Sequence, residues 1–232
     1  MKKIVLALKM NGGGPVHINM FTEYNPDFSV KTLPPVRVIR RHTLEDVLPS
    51  LPENARIAVF VGAHKHFSES ETKAIDDFCA SNNAVVFCDQ TSNFYGKYAM
   101  RMSLVFSQES WMSELRNVDL VIHIGEVTGD VYRMFPKKVW RVNEDGALRD
   151  SFDTLTDVFM MSEKAFFLKY TTSESKSEEF LMTCREEYDR LYALIPDLPF
   201  SNIWLAKELS SKIPAGSEVQ LGIYNSLRAW NF

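Results

Sequence analysis

Arg56-Ile57-Ala58-Val59-Phe60-Val61-Gly62 is a near-continuous apolar run that ends at a glycine. Strands buried on both faces, as in a parallel sheet, read this way. A helix is expected next, over Ser68 to Ser81. Ser68 stands at the N-cap with Glu71 three residues on, the spacing of a capping box, and Ala74, Ile75, Phe78 and Cys79 recur at helical intervals. The alternation then continues. Ala84 to Cys88 reads as a strand, Ser110 to Arg116 as a short helix and Val118 to Gly125 as a strand. Val131 to Phe135 reads as a helical turn, Lys138 to Val142 as a strand, Asp157 to Phe159 as a fifth strand and Glu163 to Tyr170 as a helix. Strand and helix alternating at this pace predict an α/β fold: a doubly wound parallel sheet with helices on both faces, joined by right-handed crossovers.

Outward from this block the pattern weakens on both sides. Ile4 to Met10 reads as the end of a helix stopped by Asn11-Gly12-Gly13-Gly14, and Pro15 to Met20 as a short strand. Residues 21–52 carry Pro26, Pro34, Pro35, Pro49 and Pro52, a density that breaks helices and central strands and reads as a linker. Within it, Val36 to Arg40 is the one extended candidate. Beyond the block, Glu178 to Ile195 is amphipathic, Phe200 to Lys212 is a further helix, and Ser217 to Gly222 reads as a strand. The expected organisation is a remnant of a neighbouring domain over 1–20, a linker over 21–52, an α/β domain over 53–172, and connecting helices with the start of another domain over 173–232. A beginning inside one unit and an apolar end at Trp230-Asn231-Phe232 read as truncation on both sides.

Composition excludes several classes of function. The 232 residues are 45% hydrophobic and 24% charged, with a formal net charge of -4. That balance offers no general nucleic-acid or membrane surface. The apolar run near Met1 stops at Lys9, too short for a signal peptide, and no stretch approaches the roughly 20 apolar residues of a membrane span. Cys79, Cys88 and Cys184 are scattered without CxxC spacing, so buried reduced thiols and a cytoplasmic location are expected. Gly62-Ala63-His64 lacks the glycines of a dinucleotide fingerprint. His64 and His66 lie beyond a strand's carboxyl end, where open sheets bind ligands. They read as solvated loop histidines, with an anion contact as the alternative.

Two motifs carry a resemblance. Gly13-Gly14-Pro15-Val16-His17-Ile18-Asn19 is similar to the strand that closes the pyrimidine-binding domain of thiamine-diphosphate-dependent enzymes. Asn225-Ser226-Leu227-Arg228, with Trp230, resembles the segment that opens the diphosphate-binding domain of the 2-succinyl-5-enolpyruvyl-6-hydroxy-3-cyclohexene-1-carboxylate synthases of the menaquinone pathway. The strand–helix order between them resembles the superfamily's middle domain. Departures are local. Met20-Phe21 stand where a proline is usual, Arg228 lies close to Ser226, and Glu126 to Val131 lack a Lys-Arg pair that some members carry.

The resemblance implies a parent transferase that forms a carbon–carbon bond. It would use thiamine diphosphate and Mg²⁺, decarboxylate 2-oxoglutarate and add the succinyl unit to isochorismate, working as a homo-oligomer. The family's chemistry needs a glutamate in the pyrimidine domain and a GDG…N metal motif. The chain contains no such motif, Asp145-Gly146 lacking the preceding glycine. No catalytic residue and no bound cofactor are therefore expected in this chain alone. Asn225, Ser226 and Arg228 are the expected substrate-binding residues, since a guanidinium fork suits carboxylates. The resemblance also permits a regulatory anion site at Lys97 and Arg101, because some members carry an allosteric site in the middle domain. Two alternatives remain open at this level: another decarboxylase or acetolactate-type enzyme of the superfamily, and a non-catalytic regulatory binding domain.

Overall fold

The structure is a computed structural model that describes residues 37–126, 133–222 and 224–231, with isolated positions between 15 and 32. The expected helix end over 4–10 lies outside the described residues, as does the expected strand over 15–20 except for the isolated positions Pro15, His17 and Asn19. Seven strands form one sheet: β1 (Arg40–His42), β2 (Ile57–Val61), β3 (Val85–Phe87), β4 (Ala99–Met100), β5 (Asn117–Ile124), β6 (Phe135–Val142) and β7 (Leu155–Phe159). Their order is β1-β7-β6-β5-β2-β3-β4, and every pairing is parallel. Without β1, the sheet runs outward in both directions from β2 and β5. That is the doubly wound order, and its reversal point lies between these two strands.

Burial explains why these segments are strands. Every residue of β2 and β3 is buried, as the apolar runs require. The register sets two faces. Phe60 lies beside His123, and His123 beside Arg141, on one face; Val59, Ile122 and Trp140 align on the other. The Trp140 face is covered by α1 (Glu69–Asn82) and α3 (Glu163–Tyr170), which pack on each other. Trp140, Phe159, Phe166 and Tyr170 form its aromatic cluster, with Phe159 and Phe166 centroids 4.9 Å apart. On the opposite face Phe87 meets Phe106 of α2 (Ser103–Phe106) and Phe180 of α4 (Glu179–Tyr192), both edge-on. Helices thus cover both faces.

The capping box of α1 forms as its sequence predicts: Ser68 Oγ accepts from Glu71 N–H, and Glu71 accepts from Ser68 N–H at 2.8 Å. Helix α3 spans the expected residues. Several other expectations are corrected. The proline-rich stretch contributes β1 as an edge strand, with His42 bonded to buried Asp157 at 2.8 Å. A proline-dense stretch can do this because an edge strand needs one partner only. Ser110 to Arg116 gives only a single 3₁₀ turn at Glu114–Arg116. Phe135 opens β6 rather than closing a helical turn. Ser217 to Gly222 forms no strand and lies largely exposed. The two-residue β4 and the single-turn α2 carry too little periodicity to be seen in sequence. Beyond the sheet, α5 (Asn202–Ser210) and α6 (Asn225–Ala229) pack on each other.

All three cysteines are buried and none is in a disulfide, and burial pushes the Cys88 thiol up to about 11. No helix among the described residues is long and apolar enough to cross a membrane.

Candidate functional site

The reversal point leaves a crevice where the chain leaves β2 and β5 in opposite directions. Two glycines let these exits touch. Gly62 N–H donates to Ile124 O at 3.0 Å and Glu126 N–H to Ala63 O at 2.8 Å. A Cβ on Gly62 would run into the Glu126 carbonyl oxygen. Gly125 holds φ +74°, and a Cβ there would lie 3.0 Å from the carbonyl oxygens of Gly62 and Ala63. The crevice therefore has a floor of backbone bonded to backbone.

Above this floor lies a cavity of about 300 Å³, the small end of the ligand-pocket range. Strand β6 supplies its most unusual wall, Arg141, whose side chain is 1% exposed. A charged residue inside a two-face-buried strand needs compensation. Arg141 has little. Nη1 donates weakly to His123 O at 3.4 Å, Nη2 lies 4.0 Å from Glu126, and Nε has no partner among the described residues. Burial, then the nearby Arg149 charge, lowers its pKa to about 10, which still leaves the guanidinium protonated at neutral pH.

Arg149 sits on the loop between β6 and β7 and bonds Glu126 at 3.0 Å and Asp145 at 3.4 Å. Beside Arg141 lies His123, 3% exposed and packed near Phe60 and Phe152. Neither of its ring nitrogens has a partner among the described residues. Burial, then the charges of Arg141 and Arg149, drops its pKa to about 3, so the ring is neutral.

His64 closes the opposite wall. It is not the solvated loop histidine expected from sequence. Its ring stacks on Phe67 at 3.9 Å, and Nε2 meets Glu163 at 3.1 Å. Burial opposes protonation, but the bond and charge of Glu163 outweigh it and raise the pKa. His66 faces away, near Tyr95.

The structure separates the other expected residues from this crevice. Asn225, Ser226 and Arg228 are exposed on α6, and Arg228 lies over the Tyr224 ring at 5.9 Å. Gln90, beyond β3, anchors this helix by donating to Leu227 O at 3.0 Å. Lys97 pairs with Glu178 at 2.5 Å, and Tyr98 bonds the same carboxylate. Arg101 instead lines a separate cavity of about 540 Å³, whose second cation is Arg185 and not Lys97. Lys97 does not line that cavity. Asp145 accepts from Ala147 N–H and pairs with Arg149, so its carboxylate is engaged within its own loop. Among the described residues no group of three or more His, Cys, Asp or Glu side chains is arranged to hold a metal.

No model of a known protein family matches the chain, and no curated protein matches it. The site therefore rests on its geometry.

Proposed function

We propose that the chain forms the central α/β domain of a thiamine-diphosphate-dependent synthase. The intact enzyme would release CO₂ from 2-oxoglutarate and join the remaining succinyl unit to isochorismate. The observation that carries this reading is the doubly wound order β4-β3-β2-β5-β6-β7, standing between Gly13-Gly14-Pro15-Val16-His17-Ile18-Asn19 and Asn225-Ser226-Leu227. Docking of α6 on Gln90 supports it further, since the second motif then meets the carboxyl edge of the sheet. Thiamine diphosphate supplies the electron sink for decarboxylation when bound. The described residues do not fit the cofactor or its Mg²⁺, because Asp145 is bonded within its own turn and no GDG…N motif is present. No chemical step is assigned to this chain. Its role is to scaffold the flanking domains and to present Asn225, Ser226 and Arg228 toward substrate carboxylates. The intact enzyme is expected to be a cytoplasmic homo-oligomer.

The test is to express the whole reading frame and measure CO₂ release from 2-oxoglutarate with thiamine diphosphate, Mg²⁺ and isochorismate. Turnover is expected, with a raised KM in Arg228→Ala. A frame without a GDG…N motif, or without thiamine-dependent CO₂ release, would overturn the reading.

A further inference from the structure

The crevice at the reversal point is built for a ligand of its own, independent of the thiamine reading. Arg141 is a cation buried in the sheet with an unpartnered Nε, and it lines an open cavity. Such a group is costly to leave uncompensated. A planar guanidinium with Nε and Nη free to donate matches the two oxygens of a carboxylate.

The rest of the lining narrows the class. Lys65, Arg141 and Arg149 face five carboxylates across the cavity. A polyphosphate would bring several negative charges among those carboxylates, which like-charge repulsion disfavours. The crossing after β2 does not form a phosphate nest either, because Gly62 and His64 N–H already donate to the Ile124 and Thr91 carbonyls. Apolar lining is scant: among the described residues Ala63 and Met161 are the only apolar side chains in it, so a large apolar ligand would gain little burial there. The acids that remain, Glu144 and Glu163 among them, are acceptors and call for donors on the ligand.

We infer that this crevice binds a small, hydrophilic carboxylate that carries hydroxyl or ammonium donors, with its carboxylate on Arg141 and its donors toward the acidic rim. Glu126 competes for the same guanidinium. It is 59% exposed and stands in weakly, at 4.0 Å, where the ligand's carboxylate would sit.

The inference is tested by calorimetric titration of the 232-residue chain with D-glycerate and with L-serine, which separate hydroxyl from ammonium donors. Propionate, inorganic phosphate and ADP serve as comparisons. Saturable binding of glycerate or serine is expected, with propionate weaker by about tenfold for want of donors. Arg141→Lys keeps the charge and loses the fork, and should weaken binding about tenfold. Glu126→Gln removes the competing carboxylate at an exposed position and should tighten binding about threefold, so it decides the matter even if the Arg141 variant fails to fold. No saturation by glycerate or serine up to about 10 mM overturns the inference. So does tighter binding of ADP or phosphate, or an affinity unchanged in Glu126→Gln.

Discussion

Arg141 and Arg228 carry the same guanidinium in opposite surroundings. Arg228 lies on an exposed single-turn helix, stacked loosely on Tyr224, and water satisfies what the protein does not. Arg141 is enclosed by the sheet, close to Arg149, and its Nε finds no protein partner among the described residues. Sequence resemblance singles out Arg228, and physical environment singles out Arg141. A residue type suited to carboxylates becomes a site when its desolvation is left unmet. An exposed cation gains little from a ligand that water already mimics, whereas a buried one gains the compensation it lacks.

The largest expected effect is on the floor that holds the buried side of this comparison. Gly62→Ala forces its Cβ into the Glu126 carbonyl oxygen. It should cost about 3 kcal/mol or more in urea unfolding, because backbone on both sides must move. A cost below about 1 kcal/mol would show that the two exits are not rigidly joined.

Replacing the two arginines by methionine sharpens the contrast directly. In ligand-free protein, Arg141→Met removes an undercompensated buried charge and leaves Glu126 exposed, still paired with Arg149. Stability should stay level or rise, by about 1–4 kcal/mol at most. Arg228→Met should change it by less than about 0.5 kcal/mol. A large loss at Arg141 would mean that the guanidinium is already satisfied in the folded protein.

The neutral His123 gives a pH signature. Its folded pKa of about 3 lies below the ordinary value of 6.5. Between these values the unfolded chain binds the extra proton, so stability falls as pH drops below 6.5, by up to about 1.4 kcal/mol per pH unit. His123→Phe should flatten that slope in urea titrations between pH 4 and 6. His64 works in the opposite direction and more weakly. Its folded pKa is raised by Glu163, so its contribution is full below 6.5 and is lost as pH rises through the folded value. The pair is partly screened, so under about 1 kcal/mol is expected, and Glu163→Gln should abolish it.

Much of the fold is legible because parallel strands are apolar on both faces. Ile57–Val61 and Val85–Phe87 have no other stable place to go. Ser68 and Glu71 mark the start of α1 by a local bond that needs no tertiary contact. What escapes is set by partners distant in sequence. Arg40–His42 becomes a strand because β7 offers an edge, whereas Ser217 to Gly222 pairs with no strand. The candidate site follows the same rule. Arg141 and His123 interrupt the otherwise apolar, buried C-terminal ends of β6 (Val139–Val142) and β5 (Leu120–Ile124), which is a readable signal of a buried polar group. Their adjacency depends on the β5–β6 register, and only the folded sheet supplies that.

The most direct test is the crystal structure of the chain grown with D-glycerate. The carboxylate is expected on Arg141, within hydrogen-bond distance of Nε and one Nη, with the hydroxyls facing the acidic rim. Glycerate bound at Arg101 or Arg228 with the Arg141 crevice free of it would contradict the account.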